Sequence, residues 1–223
     1  MASKKTTRGV VDAAATAVSD LRLLEARFAL VGGLAVGARS EPRYTRDVDL
    51  ALSVSTDEEA ERLLHGLAGR GYRIETVIEQ RRTGRLATAR LRHDAAPEVF
   101  VDLLFASSGI EPEIVAAAEE IAYRPGTTLP VARAGHLIAL KVLSESDRRL
   151  QDRIDLQHLA RVATDSDWRL AETALRDIRA RGYHRGRALL RPIALHRHGE
   201  AKAGGDALDL PRARRRLHGR LTI

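Results

Sequence analysis

Apolar positions in the first third of the chain follow two periods, one near 3.6 residues and one of 2. The helical period over residues 11–28 predicts a helix. The apolar run Phe28–Val31 ends at the Gly32-Gly33 pair, which predicts a buried strand entering a turn. A short helix over 34–39 and a strand over 47–54 complete this part, so helices and strands alternate from the start.

The middle of the chain combines helical signals with several short strands. Residues 55–59 are typical of a helix N-terminus, because polar cap residues precede three acidic ones, and this helix should end at Gly71. A loop over 94–97 predicts a hairpin, whereas 112–121 is predicted to be helical and 125–130 a loop. The predicted strands of this part are 73–78, 86–91 and 99–105.

The C-terminal part favours helices alone. Residues 136–181 contain neither glycine nor proline and keep a period near 3.6, which predicts two or three helices with breaks near 144–147 and 164–167. The chain therefore predicts an α+β fold, with a mixed sheet flanked by helices and followed by a helical region. The expected division is a catalytic core over 1–132, a helical region over 133–200 and a basic tail over 201–223.

Composition excludes several classes of site. The 223 residues include no cysteine, so disulfides, cysteine-ligated zinc, iron–sulfur clusters and thiol nucleophiles are excluded. No apolar run reaches the ~20 residues that cross a bilayer, and the basic N-terminus lacks a secretory apolar segment. We therefore expect a soluble protein of the cytoplasm that does not bind membranes.

Positive charge is concentrated near the C-terminus. The chain carries a net charge of +7, and residues 179–223 hold eleven arginines and one lysine against three acidic residues. A polyanion such as RNA is one partner that this distribution favours, and a solvated arginine-rich surface is the other interpretation. Because Tyr183 is the one aromatic residue in this segment, contacts to a phosphate backbone are favoured over base stacking.

The acidic residues of two predicted strands suggest metal chemistry. Asp47 and Asp49 are two residues apart, so their side chains lie on one face about 7 Å apart along the strand. Carboxylates this close repel each other unless a cation lies between them, and Mg²⁺ is the natural occupant. Asp102, the third acid, lies in the other strand, which is otherwise apolar, and an isolated acid is costly to bury there. If this strand pairs beside the first, three acids could hold two metal ions roughly 3.5–4 Å apart.

Other interpretations of these residues stay open. Asp102 could form an ion pair with Arg90 or Arg92 across the hairpin instead of binding a metal. The Gly32-Gly33 pair could be a simple turn, or it could leave backbone N–H groups free for a phosphate that approaches without meeting a Cβ atom.

Taken together, these motifs resemble the signature of the nucleotidyltransferase superfamily that includes DNA polymerase beta. Within it, residues 32–35 and 43–50 are similar to the AbiEii-type toxins of type IV toxin–antitoxin systems, including the MenT group. Lys141 and the segment 148–156 resemble a downstream lysine and an arginine-rich Asp-x-x-Asp-Leu segment of that family. The resemblance covers roughly residues 28–160 and implies a nucleotidyltransferase-type sheet.

The resemblance also implies roles for the first motif. Gly32 and Gly33 would hold the triphosphate of a nucleotide. Asp47 and Asp49 would bind metal, and Asp102 would bind the second metal and help deprotonate the acceptor hydroxyl. Superfamily members often carry serine where this chain has Gly33, so backbone contacts to phosphate must suffice here.

Downstream residues receive roles from the same resemblance. Lys141 would meet the phosphates of the nucleotide, although a lysine there could also extend from an amphipathic helix to solvent. Asp152 or Asp155 would orient either the base or that lysine, although Asp155 could instead pair with an arginine. We add Arg46 as a cation beside the phosphates.

The implied reaction transfers a nucleoside monophosphate from an NTP to an acceptor hydroxyl with two Mg²⁺ ions. The resemblance to the MenT group implies the 3′ end of tRNA as acceptor and a cognate antitoxin as a possible partner. One alternative is transfer to an antibiotic or a protein hydroxyl, and another is a non-catalytic module that binds nucleotide or RNA.

Overall fold

The computed structural model describes residues 2–146, 149–190 and 193, and within these ranges it contains seven strands and seven helices. The strands are β1 (Phe28–Val31), β2 (Asp47–Leu52), β3 (Tyr72–Glu79), β4 (Leu86–His93), β5 (Phe100–Leu104), β6 (Glu119–Arg124) and β7 (Thr127–Val131). The helices are α1 (Ala2–Leu23), α2 (Gly32–Arg39), α3 (Asp57–Ala68), α4 (Glu111–Ala116), α5 (Ala134–Ser144), α6 (Leu150–Val162) and α7 (Asp165–Ala180).

All seven strands belong to one mixed sheet with the order β3-β4-β5-β2-β1-β7-β6. The β2–β5 and β1–β7 pairs are parallel, and the other neighbouring pairs are antiparallel. Helices surround this sheet, and α5, α6 and α7 follow it in the chain. The α+β fold with C-terminal helices is therefore confirmed.

The centre of the sheet is formed by the most apolar strands. Every residue of β1 is buried, and in β2 the side chains of Val48, Leu50 and Leu52 are fully buried. The same hydrophobic cluster includes Leu137 and Val142 of α5. Because this core reaches both the sheet and the C-terminal helices, the polar face of β2 has a rigid support on its opposite side.

The prediction for residues 112–130 is wrong. α4 ends at Ala116, and two strands follow it as a hairpin that turns at Gly126, where φ is +75°. Pro130 argued against a strand, but Leu129 and Val131 beside it are buried and hold β7 against the core. The first helix also differs from its prediction, because α1 ends at Leu23.

The predicted breaks between the C-terminal helices are confirmed. α5 ends at Ser144, and α7 begins with a capping box in which Thr164 and Asp167 bond each other's backbone N–H groups. The predicted tail over 201–223 lies outside the described residues. Within the described part, no helix combines the length and apolar character needed to cross a membrane.

Candidate active site

Asp49 and Asp102 are direct neighbours across two parallel strands. β2 and β5 pair in a register that places Asp49 opposite Asp102, and Asp47 opposite Phe100. Directly paired residues project from the same face of a sheet, and residues two apart on a strand share a face. The three acids named from the sequence therefore project from one face.

Arg90 forms a two-pronged ion pair with Asp102. Its Nε donates to Oδ1 at 2.8 Å and its Nη2 donates to Oδ2 at 2.7 Å, while Nη2 lies 4.0 Å from Asp47 Oδ2. The ion pair that the sequence left open is thus present. Arg92 instead pairs with Glu75 at 3.3 Å. Within the described ranges, no three His, Asp or Glu side chains are grouped closely enough to hold a metal as they stand.

Burial and mutual repulsion perturb the acids. Burial, followed by the nearby Asp102 carboxylate, raises the pKa of Asp49 to about 6, and the Lys141 ammonium only partly offsets this. Burial also raises the pKa of Asp47, although Arg90 acts in the opposite direction. Burial therefore disfavours the charged form of both acids, and a cation beside them would oppose this effect.

The chemistry of these donors fits a divalent cation. Carboxylate oxygens are hard ligands of the kind that Mg²⁺ takes, and two of these carboxylates, Asp49 and Asp102, lie directly opposite each other on neighbouring strands. Asp47 and Asp49 would hold such an ion, and Asp102 would join them once its oxygens leave Arg90.

The glycine pair forms the first turn of α2 rather than a separate turn before it. Gly32 has a φ of +65°, and a Cβ atom there would overlap the carboxylate of Asp49. The N-terminal cap of α2, Val31, makes no side-chain hydrogen bond, so no side chain caps the N–H groups of the first turn. The turn thus lies directly against Asp49 with its backbone open.

Gly33 lies against Arg43 and Thr45, whereas Gly32 lies against Asp49. A Cβ atom built on Gly33 would lie 2.6 Å from Nη2 of Arg43 and 2.9 Å from Oγ1 of Thr45. The absence of a side chain at position 33 therefore leaves room for Arg43. This contact is a structural reason for glycine at the position where superfamily members often carry serine.

Lys141 is held by two carboxylates of α6. Its Nζ lies 2.8 Å from Oδ1 of Asp152 and 2.8 Å from Oδ2 of Asp155. Asp155 has no exposed side-chain surface, whereas Asp152 lines a cleft and its Oδ2 lies 3.8 Å from Nη1 of Arg149. Both carboxylates therefore orient the lysine, and Asp152 is the one that also reaches the cleft.

Arg43 is the residue that sequence reasoning missed. Its Nε lies 2.7 Å from Oδ1 of Asp155 and its Nη2 donates to Oδ2 at 2.9 Å, so it links the segment after α2 to α6. Nothing near Arg43 in the sequence indicates this contact, because its partner lies on a distant helix. Arg46 lies apart from this network: it is exposed, and its Nε donates to the hydroxyl of Tyr44 at 3.2 Å.

A cleft of about 910 Å³ begins at Gly32, Asp49 and Lys141. Leu137, Leu140 and Tyr183 contribute apolar walls. The other walls of the cleft carry arginines from three segments: Arg81 and Arg82 between β3 and β4, Arg149 before α6, and Arg185 after α7. The site is therefore the end of a larger binding space.

Comparison with known proteins follows this geometry. The sequence description of the family "Nucleotidyl transferase AbiEii toxin, Type IV TA system" matches residues 17–218. No protein with a curated functional description matches the chain in sequence.

Three solved structures resemble the fold at low identity. An antigenic nucleotidyltransferase-like protein from Paracoccidioides brasiliensis shares 17% identity, with a TM-score of 0.50 over 79% of this chain and 90% of that one. The antibiotic-resistance factor ANT(2″)-Ia shares 16% identity, with a TM-score of 0.47 over 88% and 98%. The lincosamide antibiotic adenylyltransferase LnuA, solved with lincomycin, shares 13%, with a TM-score of 0.35 over 72% and 90%.

The family match spans most of the chain and includes every residue assigned above to the site. The mixed sheet agrees with the nucleotidyltransferase-like fold of the fungal protein. The chain belongs to the family of nucleotidyl transferase AbiEii toxins of type IV toxin–antitoxin systems.

Proposed function

We propose that this nucleotidyltransferase transfers a nucleoside monophosphate from an NTP to a hydroxyl at the 3′ end of tRNA, with two Mg²⁺ ions. The observation that carries the reaction is the register of β2 and β5, which aligns Asp49 with Asp102 beside the open first turn of α2. The tRNA acceptor follows from the resemblance to the MenT group and is supported by the arginines of the cleft.

In this reaction an acceptor oxygen attacks the α-phosphorus of the NTP. The new O–P bond forms as the bond to the β-phosphate oxygen breaks, and pyrophosphate leaves. The Mg²⁺ ions would supply charge neutralisation for the phosphates and a lowered pKa for the acceptor hydroxyl. Asp102 would accept the hydroxyl proton directly or through water, and Asp47 and Asp49 would hold the ions.

The remaining residues bind and orient the nucleotide. The N–H groups of Gly32 and Gly33 donate to the triphosphate at the positive end of α2. Lys141 has three N–H donors, and Asp152 and Asp155 use two of them, which leaves the third for a phosphate oxygen. Arg46 contributes a diffuse positive potential near Asp47 from its exposed position.

The arginine-bearing walls of the cleft favour a polyanionic acceptor. Burial, and after it the charges of Arg149 and Arg187, lowers the pKa of Arg185, so this guanidinium group is repelled by two others. A chain of phosphates would relieve this repulsion, whereas a polycationic aminoglycoside would add to it. This observation favours RNA over aminoglycosides as the acceptor.

The wider assignment follows the family. Its toxin–antitoxin context supports a cognate antitoxin as a partner. A cytoplasmic location is part of the same proposal, because NTPs and tRNA are found there. We retain residues 1–132 as the catalytic core, 133–200 as the helical region and 201–223 as an RNA-binding tail.

Labelled NTPs test this proposal directly. The protein is incubated with each NTP and Mg²⁺, together with total tRNA, an aminoglycoside, a lincosamide or no acceptor. We expect label in tRNA only, lost with EDTA and in Asp49→Asn. Label in an antibiotic would assign the other acceptor class, and no Mg²⁺-dependent turnover with any acceptor would favour a binding module.

The arginine wall of the cleft, formed by Arg81, Arg82, Arg149 and Arg185, can be tested separately. The double variant Arg149→Gln/Arg185→Gln should raise the KM for tRNA about tenfold, because phosphate contacts are lost. It should raise the KM for NTP much less, because Arg149 reaches the nucleotide site only through its 3.8 Å ion pair with Asp152. Arg176→Gln on the exposed face of α7 is the matched control. An unchanged KM for tRNA in the double variant would contradict an acceptor path along this wall.

A further inference from the structure

Asp102 has two possible partners on the same face of the sheet. β5 lies between β2 and β4, and the register places Asp49 opposite Asp102 on one side and Arg90 opposite it on the other. Side chains of opposed residues come within contact distance across a ladder. The carboxylate can therefore face another acid, with a cation between them, or an arginine that needs no further cation.

The structure shows the second arrangement. Both oxygens of Asp102 accept hydrogen bonds from Arg90, at 2.8 and 2.7 Å. The guanidinium group also makes a cation–π contact, because its central carbon lies 4.7 Å from the ring centroid of Phe100. A planar fork of this kind is among the strongest side-chain pairs, and it engages the oxygens that a metal ion would use.

This pairing explains why the acids do not form a metal site by themselves. Asp47, Asp49 and Asp102 share a face, yet among the described residues no three acidic or histidine side chains are grouped closely enough to bind a metal. Arg90 holds Asp102 toward β4, which is the side away from Asp49.

We propose that Arg90 is a resident counter-cation that competes with the second metal ion for Asp102. This inference rests on the metal-dependent transfer proposed above. In the nucleotide-free protein the guanidinium group neutralises Asp102 and lowers the affinity of the site for divalent ions. The phosphates of an arriving NTP bring further ligands for the ion, so Asp102 changes partner when the substrate is bound. Metal binding at this position is thereby made dependent on nucleotide.

Arg92 provides a matched control. It lies two residues further along β4 on the same face, and its guanidinium carbon lies 4.4 Å from the same Phe100 ring. Its hydrogen bond goes to the carbonyl oxygen of Pro97 at 2.9 Å, not to Asp102. The two arginines thus share a strand, a charge and a stacking partner, and differ in their contact with the acid.

Binding of Mn²⁺ to the nucleotide-free protein, followed by electron paramagnetic resonance, tests the proposal. Arg90→Gln should bind Mn²⁺ about tenfold more tightly than the wild type, because a competing charge beside Asp102 is removed. Arg92→Gln should change the Kd much less. Saturating Mn²⁺ should also raise the Tm of Arg90→Gln more than that of the wild type, a readout that does not depend on turnover.

A double-mutant cycle separates competition at Asp102 from a general change of charge. In the Asp102→Asn background, Arg90→Gln should tighten Mn²⁺ binding much less, since the shared acid is gone and only the 4.0 Å contact of Arg90 with Asp47 remains. A gain of the full size there, or an Arg90→Gln variant that binds Mn²⁺ no better than the wild type, overturns the proposal. If Arg90→Gln folds poorly, Arg90→Lys keeps the charge but loses the fork, and it should show a smaller gain.

The two proposals fail in different ways. If wild-type protein with a non-hydrolysable NTP analogue binds no Mn²⁺ beyond that held by the analogue alone, the metal-dependent function itself is wrong. If the wild type binds Mn²⁺ with the analogue and Arg90→Gln gains nothing without it, only the role of Arg90 is wrong.

Discussion

Asp155 and Arg43 form a buried, two-pronged ion pair, with Nε–Oδ1 and Nη2–Oδ2 distances of 2.7 and 2.9 Å. The same carboxylate lies 2.8 Å from Nζ of Lys141 and accepts a hydrogen bond from Gln151 at 3.1 Å. One acid of α6 therefore fixes both the segment that supports the glycine turn and the lysine assigned to the phosphates.

Removal of this acid should cost both stability and activity. Asp155→Asn leaves Arg43 and Lys141 without their shared partner, and breaking a buried pair in this way costs about 3 kcal/mol. Urea unfolding measures the stability, and the KM for NTP should rise as Lys141 loses its orientation. Asp94→Asn, which breaks an exposed pair with Arg73, is the control and should change little. Equal effects of the two substitutions would contradict a special role for Asp155.

Asp49→Asn should separate activity from stability. The variant loses nucleotidyl transfer, while its free energy of unfolding in EDTA equals or exceeds that of the wild type, because burial and Asp102 disfavour the charged acid. Transfer assays and urea unfolding in EDTA measure the two effects. Full activity in this variant would refute the metal assignment, and a strongly destabilised variant would show that Asp49 holds the fold.

Gly33→Ser places in this chain the residue that superfamily members often carry. The added Cβ would press on Arg43 and Thr45, so we expect a loss of about 1 to 2 kcal/mol and a higher KM for NTP. Gly37→Ser, on the same helix, is the control, because its Cβ would lie 3.5 Å from the nearest atom. A lower KM in Gly33→Ser would indicate that the hydroxyl reaches phosphate without disturbing Arg43.

His136 should make the fold sensitive to acid. Burial, with a smaller contribution from Arg133, lowers the pKa of His136 from 6.5 to about 4. The unfolded chain then binds more protons than the native one in this window, so stability is lost as the pH falls from about 6.5 to 4, by roughly 3 kcal/mol from this group. His136→Gln should reduce this slope in urea titrations at several pH values, whereas exposed His65→Gln should retain it.

The arginine-rich tail beyond Gly199 lies outside the described residues and is tested by truncation. A chain ending at Gly199 should bind tRNA more weakly, and its affinity should depend less steeply on salt, because fewer counterions are released. Filter binding between 50 and 200 mM salt, about the range in which such effects are large, measures both. An affinity unchanged at low salt would exclude the tail from RNA contact.

Local patterns were enough to predict the parts of the site that are continuous in sequence. The alternation around Asp47 and Asp49 predicted their strand, and the polar caps predicted the starts of α3 and α7. The position of Asp102 beside Asp49 was predicted only on the condition that their two strands pair, because strand order depends on contacts between residues distant in the chain. The β6–β7 hairpin was missed because Pro130 lowers the strand signal, although the burial of its neighbours decides the structure.

Long-range ion pairs were the least predictable feature. Arg43 is one of many arginines in the chain, and nothing near it in sequence points to Asp155 on α6. Arg90 was named only as one possible partner of Asp102, since the alternation of β4 places Arg90 and Arg92 on the same face equally well. Which of them bonds Asp102 is decided by the antiparallel register.

The bond between Arg43 and Asp155 also constrains how this sequence can evolve. Because a single guanidinium group joins the glycine turn to the helix that holds Lys141, substitutions on either side alter the other. Relatives that replace one of these two residues should carry a compensating replacement at the other, so the pair should vary together across the family while the exposed arginines around it drift freely.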